Sequence, residues 1–137
     1  MAEKEIANKI KNLISIIDQV DICIKSRITD LFNELHLGIN SDQYAILEAI
    51  YNNNGLYQRE LSKTILKERS MIARTLNRFE RLGFVEILVG TRQNRLVKNV
   101  FITQEGKHII ETNQQNLKHI FLEFLSSIPD EDFAKFI

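Results

Sequence analysis

Arg69-Ser70-Met71-Ile72-Ala73-Arg74-Thr75-Leu76-Asn77-Arg78-Phe79-Glu80-Arg81-Leu82-Gly83 is the stretch on which the fold turns. Ile72, Leu76 and Phe79 recur at i, i+4 and i+7, the spacing of one buried helical stripe, and Gly83 supplies the stop. The opposite face carries Arg69, Ser70, Ala73, Arg74, Asn77, Arg78 and Arg81. This is a helix with one side for a core and one side for an anion.

Its neighbours give that helix a context. Upstream, residues from about Gln58 to Ile65 form a short helix with Leu61 and Ile65 inward, and a break at Leu66 to Glu68 makes the pair a helix-turn-helix. Downstream, Phe84 to Val89 and Val97 to Thr103 are rich in β-formers, and the polar, basic run Gly90 to Arg95 lies between them as a tip. The segment therefore reads as a winged helix-turn-helix. From Arg59 to Lys98 there are ten Lys/Arg and four Asp/Glu, a net +6, so the rest of a formally neutral chain is net −6. Such polarisation marks a surface for a polyanion, although a pI near 6.8 conceals it.

The flanks are helical. Apolar residues at Ile6, Ile10, Leu13, Ile17, Val20, Ile24, Ile28, Leu31 and Leu35 alternate spacings of four and three, predicting one long amphipathic helix ended by Gly38. Ile14, Ile16, Ile22 and Phe32 widen its apolar surface beyond what so small a chain buries alone, which points to a second copy. Asn40-Ser41-Asp42-Gln43 starts a second helix through Tyr44, Ile46, Leu47 and Ile50, and Asn52 to Gly55 stops it. Thr103 caps a further helix containing Ile109, Ile110, Leu117, Ile120, Phe121, Phe124 and Leu125. A last short element after Pro129 holds Phe133, Phe136 and Ile137.

At 137 residues, 44% hydrophobic and 26% charged, the composition is that of an ordinary globular domain, and one Pro with five Gly favours helix. A single cysteine excludes an intramolecular disulfide framework and suits a reducing, cytoplasmic setting. The amino terminus lacks a signal-peptide pattern, and no apolar run reaches the roughly 18 residues that span a bilayer. His36, His108 and His119 lack metal-like spacing. Neither a phosphate loop nor a nucleophile elbow is present, so no enzyme, metal or cofactor is expected.

Several runs resemble the MarR family of bacterial transcription regulators. Asn40 to Leu47 is similar to the family's second helix, and Gln58-Arg59-Glu60-Leu61-Ser62 to the start of its third. Ser70 to Arg74 followed by Arg78 to Val85 resembles its recognition helix and exit into the wing, and Ile102-Thr103-Gln104-Glu105-Gly106 its signature after the wing. The resemblance implies a mostly α fold with a small β-wing. Residues 1–36 would form an N-terminal dimerisation helix, 37–104 the winged helix-turn-helix and 105–137 the C-terminal dimerisation helices. It also implies a homodimer gripping a pseudo-palindromic double-stranded operator, with a small-molecule effector as a further partner. The chain departs from the family in two places. Ala73 stands where many members have Thr, and Arg92-Gln93-Asn94-Arg95-Leu96 replaces the usual Asp-x-Arg of the wing, with no acid and about one extra residue.

The expected DNA-binding residues are Arg69, Ser70, Arg74, Asn77 and Arg78 on the recognition helix, Gln58 and Arg59 before it, and Arg92 and Arg95 in the wing, with Lys98 on the returning strand. Ile6, Ile10, Leu13, Ile17, Phe121, Phe124, Phe133 and Phe136 are the expected dimer contacts. The leading function is a sequence-specific regulator, acting as a repressor relieved by a ligand or stress. A winged-helix protein-interaction module using the basic face for an acidic partner is the alternative. Cys23, between Ile22 and Ile24, reads as a small buried hydrophobe, with a thiol redox sensor as the competing reading.

Overall fold

The computed structural model describes residues 2–65 and 67–127. Its elements are α1 (Glu3–Glu34), α2 (Ser41–Asn52), α3 (Gln58–Ile65), α4 (Arg69–Leu82), β1 (Val85–Arg92), β2 (Arg95–Ile102) and α5 (Gln104–Ser127). The expected final element after Pro129, with Phe133 and Phe136, lies outside the described residues. Two compact units emerge, one of residues 2–41 with 117–127 and the other Asp42–Asn116.

The terminal unit is built on α1. Ile28 and Phe32 near its carboxyl end are buried, as are Leu117 and Ile120 of α5. From Glu3 to Gln19 every residue of α1 is exposed. The helix stops earlier than its glycine suggested: Leu35 is the C-cap and His36 takes the left-handed conformation at φ 54°, with Gly38 following at φ 72°. A histidine tolerates that region better than a β-branched residue does, so the turn closes before the glycine is reached.

In the second unit, Tyr44, Ile46, Leu47 and Ile50 of α2, Leu61 of α3, and Ile72, Thr75, Leu76 and Phe79 of α4 are buried. Val85, Val100 and Ile102 add the base of the wing to the buried set. The end of α4 is a Schellman turn. Gly83 sits at φ 79°, its N–H donates to the Glu80 carbonyl at 3.2 Å, and the Phe84 N–H donates to the Phe79 carbonyl at 2.8 Å. The Phe79 and Phe84 rings meet at 5.9 Å between centroids, the apolar contact that accompanies this turn.

β1 and β2 pair antiparallel from Val85↔Ile102 to Arg92↔Arg95. The ribbon is longer and its tip tighter than the sequence suggested. Strand pairing runs through Gly90-Thr91-Arg92, and the connection is Gln93-Asn94 alone, at φ 53° and φ 63°. Two positive φ values in a two-residue loop define a type I′ turn, whose twist matches that of the flanking strands. A third, minimal strand completes the wing: Gly55 N–H donates to Val100 O at 2.8 Å, Val100 N–H to Leu56 O at 2.9 Å, and Tyr57 bridges Asn99. The Asn99 amide donates to Gly55 O at 2.9 Å, and Asn54 Oδ1 accepts the Ile102 N–H at 2.9 Å.

Thr103 joins the wing to α5. Its hydroxyl donates to the Gly83 carbonyl at 2.6 Å and accepts the Gly106 N–H at 3.1 Å, while its own N–H donates to the Phe84 carbonyl at 3.0 Å. It is thus the expected cap of α5 and also the tie that holds the end of α4.

Candidate nucleic-acid interface

The stripe that buries Ile72, Leu76 and Phe79 turns the opposite face of α4 outward. Arg69, Ser70, Arg74, Asn77, Arg78 and Arg81 are all exposed, and Ala73 is half-buried. Glu68 is the N-cap of α4 and makes no side-chain capping hydrogen bond. The first turn of α4 therefore carries Arg69 and Ser70 beside backbone N–H groups, an arrangement that favours an anion.

Beside this turn lies a cleft of about 520 Å³, whose lining joins three elements. Gln58, Arg59, Glu60 and Ser62 come from α3, Arg69 and Ile72 from α4, and Arg92, Gln93, Arg95, Leu96, Val97 and Lys98 from the wing. Five cations thus share its walls with one acid, Glu60. Concave walls that exclude water strengthen such a field relative to a flat surface. Arg74, Asn77, Glu80 and Arg81 line a second, shallow hollow further along α4.

Tyr57 also lines the cleft, and the sequence reading missed it. The Arg92 guanidinium carbon lies 5.3 Å from the centre of its ring, within cation–π range. The signal was its place directly before α3, where a tyrosine is unusual. Arg92 and Arg95 are cross-strand partners, so both project from one face of the ribbon. Lys67 does not contribute freely to the basic surface. Its ammonium donates to Asp42 at 3.1 Å and ties the α3–α4 turn to the first turn of α2.

The expected dimer residues that are described remain open to solvent. Ile6, Ile10, Leu13 and Ile17 are 45–54% exposed and Phe121 is 43% exposed, whereas Phe124 is intermediate. Phe133 and Phe136 lie outside the described residues. Cys23 is exposed, not buried as expected, because it lies on the open part of α1. Ile28, Phe32 and Tyr44 are buried. Burial raises the Tyr44 phenol to about 12, and nearby Glu48 adds to the shift. Among the described residues no helix is long and apolar enough to cross a membrane, and no group of three or more His, Cys, Asp or Glu is placed to hold a metal ion.

The pattern of the MarR family matches residues 37–92, from the approach to α2 through the last residue of β1. An uncharacterised HTH-type transcriptional regulator of Bacillus subtilis (strain 168), YybA, is 30% identical over 96 residues, 70% of this chain and 63% of that protein. Over that region, α2 through β1, the chain is similar to the MarR family. That family consists of transcription regulators and not enzymes. The aligned part spans under two thirds of the Bacillus relative's length.

The solved structures bear on the MarR fold. A MarR variant from E. coli complexed with operator DNA superposes with a TM-score of 0.77 at 23% identity, covering 94% of this chain and 91% of that one. The S. aureus MepR–DNA complex gives a TM-score of 0.73 at 16% identity, with 89% and 88% covered. Five helices and a two-stranded wing in this order are the MarR winged-helix architecture.

Proposed function

We propose that this chain is a MarR-family, sequence-specific regulator that binds double-stranded DNA as a homodimer. One observation carries the reading: the first turn of α4 with Arg69, the amino end of α3 and the basic wing meet around one cleft, and Arg74, Asn77 and Arg78 are exposed further along α4. Helix-turn-helix geometry lays a second helix in the major groove, with a wing beside it. Arg74 and Asn77 then read base edges, Arg78 flanks them, and Arg69, Ser70, Gln58 and Arg59 hold phosphates. Arg95 and Arg92 at the wing tip serve the minor groove and its backbone. Two structural neighbours were solved with DNA, one with an operator, which supports the same partner here.

A homodimer accounts for the open apolar stripe Ile6, Ile10, Leu13 and Ile17 and for the exposed Phe121 of α5, and the sequence adds Phe124, Phe133 and Phe136 to the same contact. Residues 1–36 and 105–137 would supply the dimer contacts and 37–104 the DNA contacts. Two-fold symmetry then asks for a pseudo-palindromic operator with half-sites about one helical turn apart. The setting is cytoplasmic and the output repression. A small ligand or stress signal would relieve it by favouring one spacing of the two recognition helices.

The test is selection of duplexes from a randomised pool, followed by affinity against salt. The expected result is a two-half-site sequence whose log affinity falls linearly with log salt concentration. Arg74→Ala should lower affinity for the selected site by about five- to a hundredfold and relax preference at its position. Equal binding to every sequence, or binding indifferent to salt, overturns the reading and leaves the basic face to an acidic protein partner.

A further inference from the structure

Tyr57 occupies the position immediately before α3, where a helix gains most from a short side-chain oxygen that caps a free backbone N–H. A tyrosine hydroxyl stands at the far end of a ring and is poorly suited to that work. Among the described residues, Tyr57 bonds to the helix through its carbonyl, which accepts the Glu60 N–H at 2.9 Å. What the side chain supplies is an aromatic face beneath Arg92, at 5.3 Å from the guanidinium carbon.

The register explains the meeting. Tyr57 bridges Asn99, and alternation along β2 puts Asn99, Val97 and Arg95 on one face of the ribbon, the face that Arg92 shares as the partner of Arg95. Two arginines directly opposite on one face repel each other. The two strands contain a single acid, Glu86, six residues of pairing away near the other end of the ribbon, so no wing carboxylate is at hand to orient either guanidinium. The ring holds Arg92 beside the start of α3.

We infer that Tyr57 is the positioning residue of the wing. It holds Arg92 in the cleft as a fixed phosphate anchor beside Arg59 and Arg69, and leaves Arg95 to enter the groove. This inference rests on the DNA-binding reading above and assigns the two wing arginines different tasks. Arg92 then contributes almost equally for all sequences, whereas Arg95 contributes according to groove width.

Tyr57→Ser separates positioning from folding, because serine restores a helix cap while removing the ring. On the duplex selected by the wild-type protein, Tyr57→Ser should weaken binding about two- to fivefold, the worth of one exposed cation–π contact. Its urea midpoint should be equal to or above that of the wild type. Tyr57→Phe should restore most of the affinity, and in an Arg92→Ala background Tyr57→Ser should cost nothing further. The role of Tyr57 is overturned if the serine variant binds as tightly as wild type. It is overturned equally if its loss persists undiminished in the Arg92→Ala background, or if phenylalanine is no better than serine. Failure of the wild-type protein to select any duplex overturns the DNA reading itself, a result distinct from these.

Discussion

Replacing Gly106 with alanine sets two effects of known size against each other. Gly106 is buried in the first turn of α5, where alanine is the better helix former by about 1 kcal/mol. A methyl group there meets the Phe84 carbonyl oxygen well inside contact distance, Ile102 Cγ1 at 2.8 Å and the Phe84 carbonyl carbon at 3.2 Å. Ile102 has little room to retreat, being 7% exposed. The Phe84 carbonyl is bound too, because it accepts the Thr103 N–H at 3.0 Å while the Thr103 hydroxyl grips Gly83 at 2.6 Å. Overpacking of this kind costs about 1–3 kcal/mol, and weakening one or two of these hydrogen bonds adds about 1 kcal/mol each. After the gain in helix propensity, the net loss should be about 2 kcal/mol, a fall in Tm of roughly 6–10 °C. Urea unfolding followed by far-ultraviolet circular dichroism, at one fixed protein concentration, measures it. A Gly106→Ala variant as stable as the wild type, or more so, would refute the close approach of α5 to the exit of α4. A destabilised variant that still binds DNA at low temperature would show that the clash acts on folding alone.

Other outcomes follow from the wing, the core and the open helix. Gln93→Asn combined with Asn94→Gly should raise stability by about 1 kcal/mol in the same unfolding assay, because Gln93 holds φ 53° where Asn-Gly is the preferred type I′ pair. Tyr44 is held protonated by burial, with its phenol raised from 10 to about 12, so the unfolded chain releases that proton first. Its contribution is therefore complete below pH 10 and lost as pH rises toward about 12; Tyr44→Phe should flatten unfolding free energy across that window, and an unchanged slope counts against the assignment. Leu13→Glu places a charge in the exposed apolar stripe of α1 and should shift the protein from dimer to monomer in sedimentation equilibrium at micromolar concentration, whereas an unaltered dimer would move the interface elsewhere.

The sequence by itself determined the order of the elements and the two-faced character of α4. Ile72, Leu76 and Phe79 can share one face only in a helix, and once that face is buried the arginines must point outward. Periodicity likewise located α1, α2 and α3, and Gly83 and Thr103 marked boundaries because their chemistry is local. Composition was a poor guide where pairing decides the outcome. Gly90, Thr91 and Arg92 look like loop residues, yet they continue β1 because each finds a partner in Arg95, Leu96 and Val97. His36 closes α1 ahead of Gly38, and Cys23 is exposed because α1 runs on past the buried segment around Ile28 and Phe32. Tyr57 and Arg92 are far apart in the chain, and nothing in either neighbourhood joins them; the register of three strands does. Local spacing determines which face a side chain takes, whereas only tertiary pairing decides which faces meet. The basic segment was therefore legible as a surface for a polyanion, and the cleft that gives that surface its shape was not.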